Sequence, residues 1–116
     1  MNWRKIESPE HLAEATEHSH QQPVLIFKHS TTCSISRTVL DRLQRNWNEA
    51  EMPVTAYYLD LLQYRTLSND IAQHFQVTHE SPQALLVCKG KVIYHESHFG
   101  IDYTKLKKAA NDLLIM

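Results

Sequence analysis

Glycine is almost missing from this chain. Only Gly90 and Gly100 occur in 116 residues. A loop that cradles phosphate with backbone N–H groups needs several glycines at fixed spacing, so that kind of nucleotide site is excluded. Cysteine is equally sparse. Cys33 and Cys88 stand far apart, and in a reducing compartment they are not expected to form a structural disulfide. No apolar run approaches the length needed to span a bilayer. Met1 to Glu17 is polar and acidic after its first few residues and lacks the apolar centre of a signal peptide. The expected location is cytoplasmic. An excess of one charge is also missing. The formal net charge is -1 with His neutral, so no global field favours nucleic acid or an anionic membrane. Repeats, low-complexity tracts and linkers do not occur. One domain over residues 1–116 is expected.

What is present suits one buried core: 42% of residues are hydrophobic and 22% charged. Ser8-Pro9-Glu10 reads as a helix start, with a serine cap, proline at the first position and an acid near the positive end. That helix is expected to run to about Glu17. Pro23 to Phe27 is a continuous apolar run, expected of a strand buried on both faces. Lys28 to Thr32 reads as a polar loop. From Cys33 onward, Ile35, Val39, Leu40, Leu43 and Trp47 fall on one helical face. Val54 to Leu59 reads as a strand, and Leu67, Ile71 and Phe75 mark a helix. Ser81-Pro82 interrupts the chain before the apolar strand Ala84 to Cys88. Lys89-Gly90-Lys91 is a tight turn into a hairpin partner, Val92 to His95. Asp102 caps a last helix with Leu106, Ala109, Ala110 and Leu113 inward. A short strand near Trp3 to Ile6 is also compatible. Strands separated by helices imply parallel pairing, and the final hairpin adds antiparallel pairing. The expected fold is α/β, a central mixed sheet with helices on both faces; the thioredoxin-like fold is one arrangement that satisfies this order.

The chemically informative unit is strand, polar loop, cysteine, helix. It sets Cys33 at the first turn of a helix, where unpaired N–H groups and the helix dipole favour negative charge. A thiolate gains from that position more than a thiol does. For helix-start cysteines in general, a pKa near 7 instead of about 8.5 raises the thiolate at pH 7 by roughly 15-fold. Lower intrinsic nucleophilicity takes back roughly 5-fold, so attack speeds up only about 3-fold. The thiolate is also the better leaving group. A structural alternative makes Cys33 a small buried hydrophobe. Its polar neighbours Thr32 and Ser34 argue against that.

Three residues after Cys33 stands Ser36, where a Cys-x-x-Cys pair would have its second thiol. A hydroxyl cannot form a disulfide, but it can donate a hydrogen bond to a thiolate. The site therefore reads as monothiol. If Pro82 adjoins the active site, Cys88 lies up to roughly 20 Å along its strand from it, too distant for a direct bond, and it is expected in the core. Eight histidines raise the question of a metal site. His18 with His20 and His95 with His98 lack a zinc-type set of partners, so no metal site is expected. His29, four before Cys33, either tunes the sulfur or simply ends a strand. Arg37, Arg42, Arg45, Lys105, Lys107 and Lys108 read as solvated helix faces.

Thr32-Cys33-Ser34-Ile35-Ser36 and Glu80-Ser81-Pro82-Gln83 together resemble the YtxJ family of bacilliredoxin-like proteins, over most of the chain. The resemblance implies a thioredoxin-like fold and a thiol–disulfide oxidoreductase. It implies that Cys33 takes bacillithiol, or a similar low-molecular-weight thiol, from protein mixed disulfides, with Ser36 in the place of a resolving cysteine. The family motif has proline where this chain has Ser34, a change that adds a backbone donor at the helix start. The resemblance further implies a cis-proline at Pro82 facing the cysteine, with Ser81 offering backbone contacts. Thr32, Ser34, Ser81 and Pro82 are thus the substrate-binding candidates, and Cys33 and Ser36 the catalytic ones. No tightly bound cofactor is implied; the thiol is a co-substrate. The implied partners are S-thiolated proteins, with no nucleic acid and no membrane. A different class of function also fits: a non-catalytic thioredoxin-like module that binds a peptide or partner at the Pro82 edge. Iron–sulfur binding by a dimer fits less well, because the Cys-Gly-Phe-Ser sequence is absent.

Overall fold

A computed structural model describes residues 2–114. Five strands form one mixed sheet in the order β1-β3-β2-β4-β5. The strands are β1 (Arg4–Lys5), β2 (Val24–His29), β3 (Thr55–Asp60), β4 (Gln83–Cys88) and β5 (Lys91–Ser97). The helices are α1 (Pro9–His18), α2 (Ser34–Asn46), α3 (Arg65–Phe75) and α4 (Tyr103–Leu114). A 3₁₀ turn, His98–Gly100, joins β5 to α4. β1 and β2 both run parallel to β3, while β4 is antiparallel to β2 and to β5. This is the expected thioredoxin-like architecture.

Local chemistry sets the element ends. The Ser8 hydroxyl accepts the His11 N–H at 3.3 Å, and Pro9 occupies the first position of α1. Lys89 and Gly90 both have positive φ, at 53° and 75°. A two-residue hairpin loop of the primed type needs that conformation, and glycine adopts it without a Cβ clash. Asp102 Oδ2 accepts the Lys105 N–H at 3.2 Å at the start of α4.

Alternation along the strands divides the core between two faces. Leu25, Phe27 and Leu86 pack under α2 and α4 with Val39, Leu43 and Leu106. Ile26, Tyr57, Leu59 and Leu85 pack against α1 and α3 with Ala15, Leu67 and Ile71. Burying each such large side chain contributes about 1.5–3 kcal/mol.

Three sequence expectations change. Lys28 and His29 belong to β2 rather than to a loop, and both are buried. Their backbones complete the ladder with Leu59 and Asp60, and polar neighbours take up their side chains. Ile35 is exposed, and Ser36 takes the inward position in the first turn of α2. Cys88 is half-buried at the end of β4, outside both core clusters. With Lys91, Ile93 and Leu113 it borders a cavity of about 520 Å³. No helix among the described residues is long and apolar enough to cross a membrane.

Candidate functional site

The loop from Ser30 to Cys33 leaves the carboxyl end of β2 and turns at once into α2. The Cys33 N–H donates to the Ser30 carbonyl at 3.2 Å, closing a tight turn. The Cys33 carbonyl accepts the Arg37 N–H at 3.0 Å, opening the helix. Cys33 is therefore the N-cap residue, with extended backbone and no side-chain capping bond. Its thiol is free and half-buried, and Thr32 and Ser34 on either side are exposed. The first turn of α2 holds no acidic residue to compete with a thiolate for the positive helix end.

Ser36 lies one turn in and has no exposed surface. Its hydroxyl accepts the Ser30 N–H at 3.1 Å and lies 2.7 Å from His29 Nδ1. The hydroxyl is thus directed to β2 and the loop. Burial holds the His29 imidazole below the ordinary histidine range; Asp60 opposes that and Arg37 adds to it. Asp60 is the register partner of His29 on β3, and the Tyr58 ring lies 5.6 Å from the His29 ring. Tyr58 and Asp60 also border a polar cavity of about 200 Å³ over the carboxyl ends of β1 and β3.

On the other side of β2, Lys28 pairs with Gln83 in the ladder. Antiparallel pairing then brings Pro82 level with His29 and Ser81 level with Ser30. The Ser81–Pro82 peptide is cis, as expected. Pro82 is buried, and its carbonyl accepts the His98 N–H at 3.0 Å. The Ser81 hydroxyl is buried without a protein partner. The structure therefore brings Thr32, Cys33, Ser34 and Ser36 together with Ser81 and Pro82 at one end of the sheet. Cys88 lies at the opposite end of β4.

A family model described as monothiol bacilliredoxin BrxC matches residues 4–106. The chain belongs to that family. It is similar to a solved structure described as a candidate oxidoreductase with a thioredoxin fold, at 32% identity and a TM-score of 0.79, covering 90% of each chain. The thioredoxin of Malassezia sympodialis aligns at 17% identity and a TM-score of 0.72, over 96% of this chain and 90% of that one. The thioredoxin of Trypanosoma brucei brucei aligns at 13% identity and a TM-score of 0.75, over 99% and 93%. The last two show the fold alone. Membership of the monothiol bacilliredoxin family makes thiol redox chemistry, of the oxidoreductase class, the activity of this chain.

Sequence reasoning missed two polar devices near the site. Lys28 Nζ donates to the Ser68 carbonyl at 3.1 Å and lies 3.3 Å from His79 Nδ1. Gln83 Nε2 donates to the Thr78 carbonyl at 3.0 Å. Both tie down the segment that leads to Pro82. The signal was a lysine inside an otherwise apolar strand. Arg42, read as a solvated residue, instead donates to the carbonyls of Phe99 and Ile101 and holds the 3₁₀ turn against α2. Among the described residues, no three potential metal ligands gather.

Proposed function

We propose that this protein removes bacillithiol, or a similar low-molecular-weight thiol, from protein mixed disulfides, with Cys33 as the attacking sulfur. The observation that supports this reading is the pairing of a half-buried cysteine at a helix start with a buried serine at the resolving position. The thiolate of Cys33 attacks the small-thiol sulfur of the mixed disulfide. One S–S bond forms to Cys33 and one breaks, and the protein leaves as its thiolate. Ser36 cannot expel the adduct, and Cys88 is roughly 20 Å away along β4, beyond disulfide reach. A second thiol must therefore attack the adduct, leaving a Cys33 thiolate and a small-molecule disulfide. Pro82 and the Ser81 backbone, at the same end of the sheet as Cys33, offer the client chain a place to pair, with Thr32 and Ser34 beside the cysteine.

The test uses a bacillithiolated protein as substrate and intact mass as the readout. The expected result is bacillithiol loss from the substrate with the matching added mass on Cys33, and no transfer by Cys33→Ser. Transfer that survives Cys33→Ser would overturn the assignment. Tight client binding by Cys33→Ser, with no transfer by the native protein, would establish the non-catalytic binding module instead.

A further inference from the structure

Ser36 and His29 are both buried, and their side-chain polar atoms lie 2.7 Å apart, in the helical turn that follows Cys33. A serine hydroxyl has one hydrogen and two lone pairs. The Ser30 N–H already uses one lone pair. The contact with His29 then has two forms. With neutral His29 accepting at Nδ1, the hydroxyl hydrogen points to the ring. With a proton on Nδ1, the ring donates to the second lone pair and the hydroxyl hydrogen must find another acceptor. Ser36 is three residues after Cys33, in the turn that Cys33 caps.

We propose that His29 is a positioning residue that holds the proton of Cys33, acting through the Ser36 hydroxyl. The inference rests on the reading of Cys33 as the exchanging thiol. In the step, the Cys33 thiol gives its proton to Ser36 Oγ while Ser36 gives its own hydrogen to His29 Nδ1. A thiol and a neutral imidazole become a thiolate and an imidazolium, with no electron transferred and no other atom changed. Ser36 then donates to the thiolate and accepts from His29. The described hydrogen bonds of Ser36 Oγ are with Ser30 and His29, so the step begins with the thiol and the hydroxyl, one helical turn apart, coming into contact. Hydrogen bonds of reacting groups commonly tighten only when the charge is present.

The surroundings fit that role. Burial and the Arg37 charge favour neutral His29 at rest, while Asp60 supports the imidazolium once formed. Asp60 and Tyr58 face His29 from β3, and the Arg37 charge acts on it from α2. Asp60 and Tyr58 also border the 200 Å³ cavity.

Two measurements test the coupling without any natural substrate. In the first, His29 is titrated by nuclear magnetic resonance, using ¹⁵N-histidine-labelled native protein before and after alkylation of Cys33 with iodoacetamide. Alkylation removes the thiolate that favours imidazolium, so His29 should then titrate at lower pH. An unchanged titration would overturn the proposal, and this arm needs no variant to fold. In the second, the rate of iodoacetamide alkylation is followed against pH for native protein, His29→Gln, Ser36→Ala and the double variant. Losing one hydrogen bond to a charged group changes the thiolate population about 10-fold, which nucleophilicity reduces to roughly 3-fold in rate. Each single variant should slow the acid limb by that amount, the double variant by no more, and Ser36→Thr should restore it. Additive losses, or a His29→Gln profile equal to the native one, would overturn the coupling. Failure to remove bacillithiol with this coupling intact would count only against the substrate assignment.

Discussion

The Lys28 ammonium stands 3.3 Å from His79 Nδ1, at the floor of the segment that carries Pro82. The side chain of Lys28 has no exposed surface, and among the described residues no carboxylate pairs with it. Burial alone lowers it from 10.5 to about 8. An ammonium only donates, so His79 accepts at Nδ1 and its ring is neutral. Between about pH 8 and 10.5 the unfolded chain keeps a proton on Lys28 that the folded chain has released. Stability contributed by this group therefore rises with pH across that window. From pH 7 to pH 10 the rise should be roughly 2 to 3 kcal/mol relative to Lys28→Met, in which it is absent. Urea unfolding of both proteins across that range, compared as a difference, measures it. Equal pH slopes would show that Lys28 is not buried as a cation.

Acid should act on the same contact through the other partner. Burial, Lys28 and Arg65 all hold His79 below the ordinary histidine range, with Glu80 opposing. Below about pH 6.5 the unfolded chain takes up a proton on this residue before the folded chain does, so stability falls as pH falls. His79→Gln should flatten part of that acid loss while leaving stability at pH 8 nearly unchanged. Thermal melts at pH 5 and pH 8 supply the comparison.

Arg42 holds the 3₁₀ turn between β5 and α4 against α2. Its guanidinium reaches two carbonyls, of Phe99 and Ile101, and the His98 N–H in the same turn reaches Pro82. Arg42→Met keeps the stem but removes the donors. A cost of about 1 to 2 kcal/mol is expected for the pair of bonds. Amide exchange should quicken at His98 and Ile101, and far less at Leu85 or Leu86. Uniform acceleration would mean that Arg42 acts on global stability only.

Much of this was readable in the residues because apolar periodicity and cap chemistry are local. The serine–proline start of α1, the apolar run of β2 and the Lys89-Gly90 turn each carry their own signal. The Cys33 and Pro82 segments could be paired only through a family resemblance, since spacing alone does not say which loops meet. What was not readable depends on burial of polar groups. Lys28 and His29 look like loop residues because their types favour solvent. The sheet buries them, and partners distant in sequence, Ser68 and His79 for Lys28, satisfy the lysine. Ile35 and Ser36 exchange expected places for a related reason: the Ser36 hydroxyl has two buried partners waiting, so the helix turns it inward.

The same inward hydroxyl makes Ser36→Cys informative. It would create a Cys-x-x-Cys pair across the first turn of α2, an arrangement that forms reversible disulfides at helix starts. Oxidised protein should lose two hydrogens in intact mass and resist alkylation at Cys33. The reduced form should be less stable by about 1–3 kcal/mol, because the Ser30 N–H loses its partner. No disulfide under mild oxidant would show that position 36 is held too far under the helix to reach the sulfur.

Ser34 is a position where the backbone itself can be asked whether proline would fit. It is exposed and is the first residue of α2, where the N–H has no partner within the helix. Proline loses nothing at that position, and its fixed φ suits a helix start. The residue before a proline must be extended, and Cys33 already is, at φ -95° and ψ 121°. Ser34→Pro therefore requires no rearrangement and removes freedom from the unfolded chain. It should raise stability by about 0.4–1 kcal/mol and the melting temperature by about 2 to 5 °C. A gain in stability with slower Cys33 alkylation would mean that the Ser34 N–H serves the thiolate. A gain with unchanged alkylation would mean that serine here is neutral to the chemistry. A loss would require strain at the cap, which the extended conformation of Cys33 argues against.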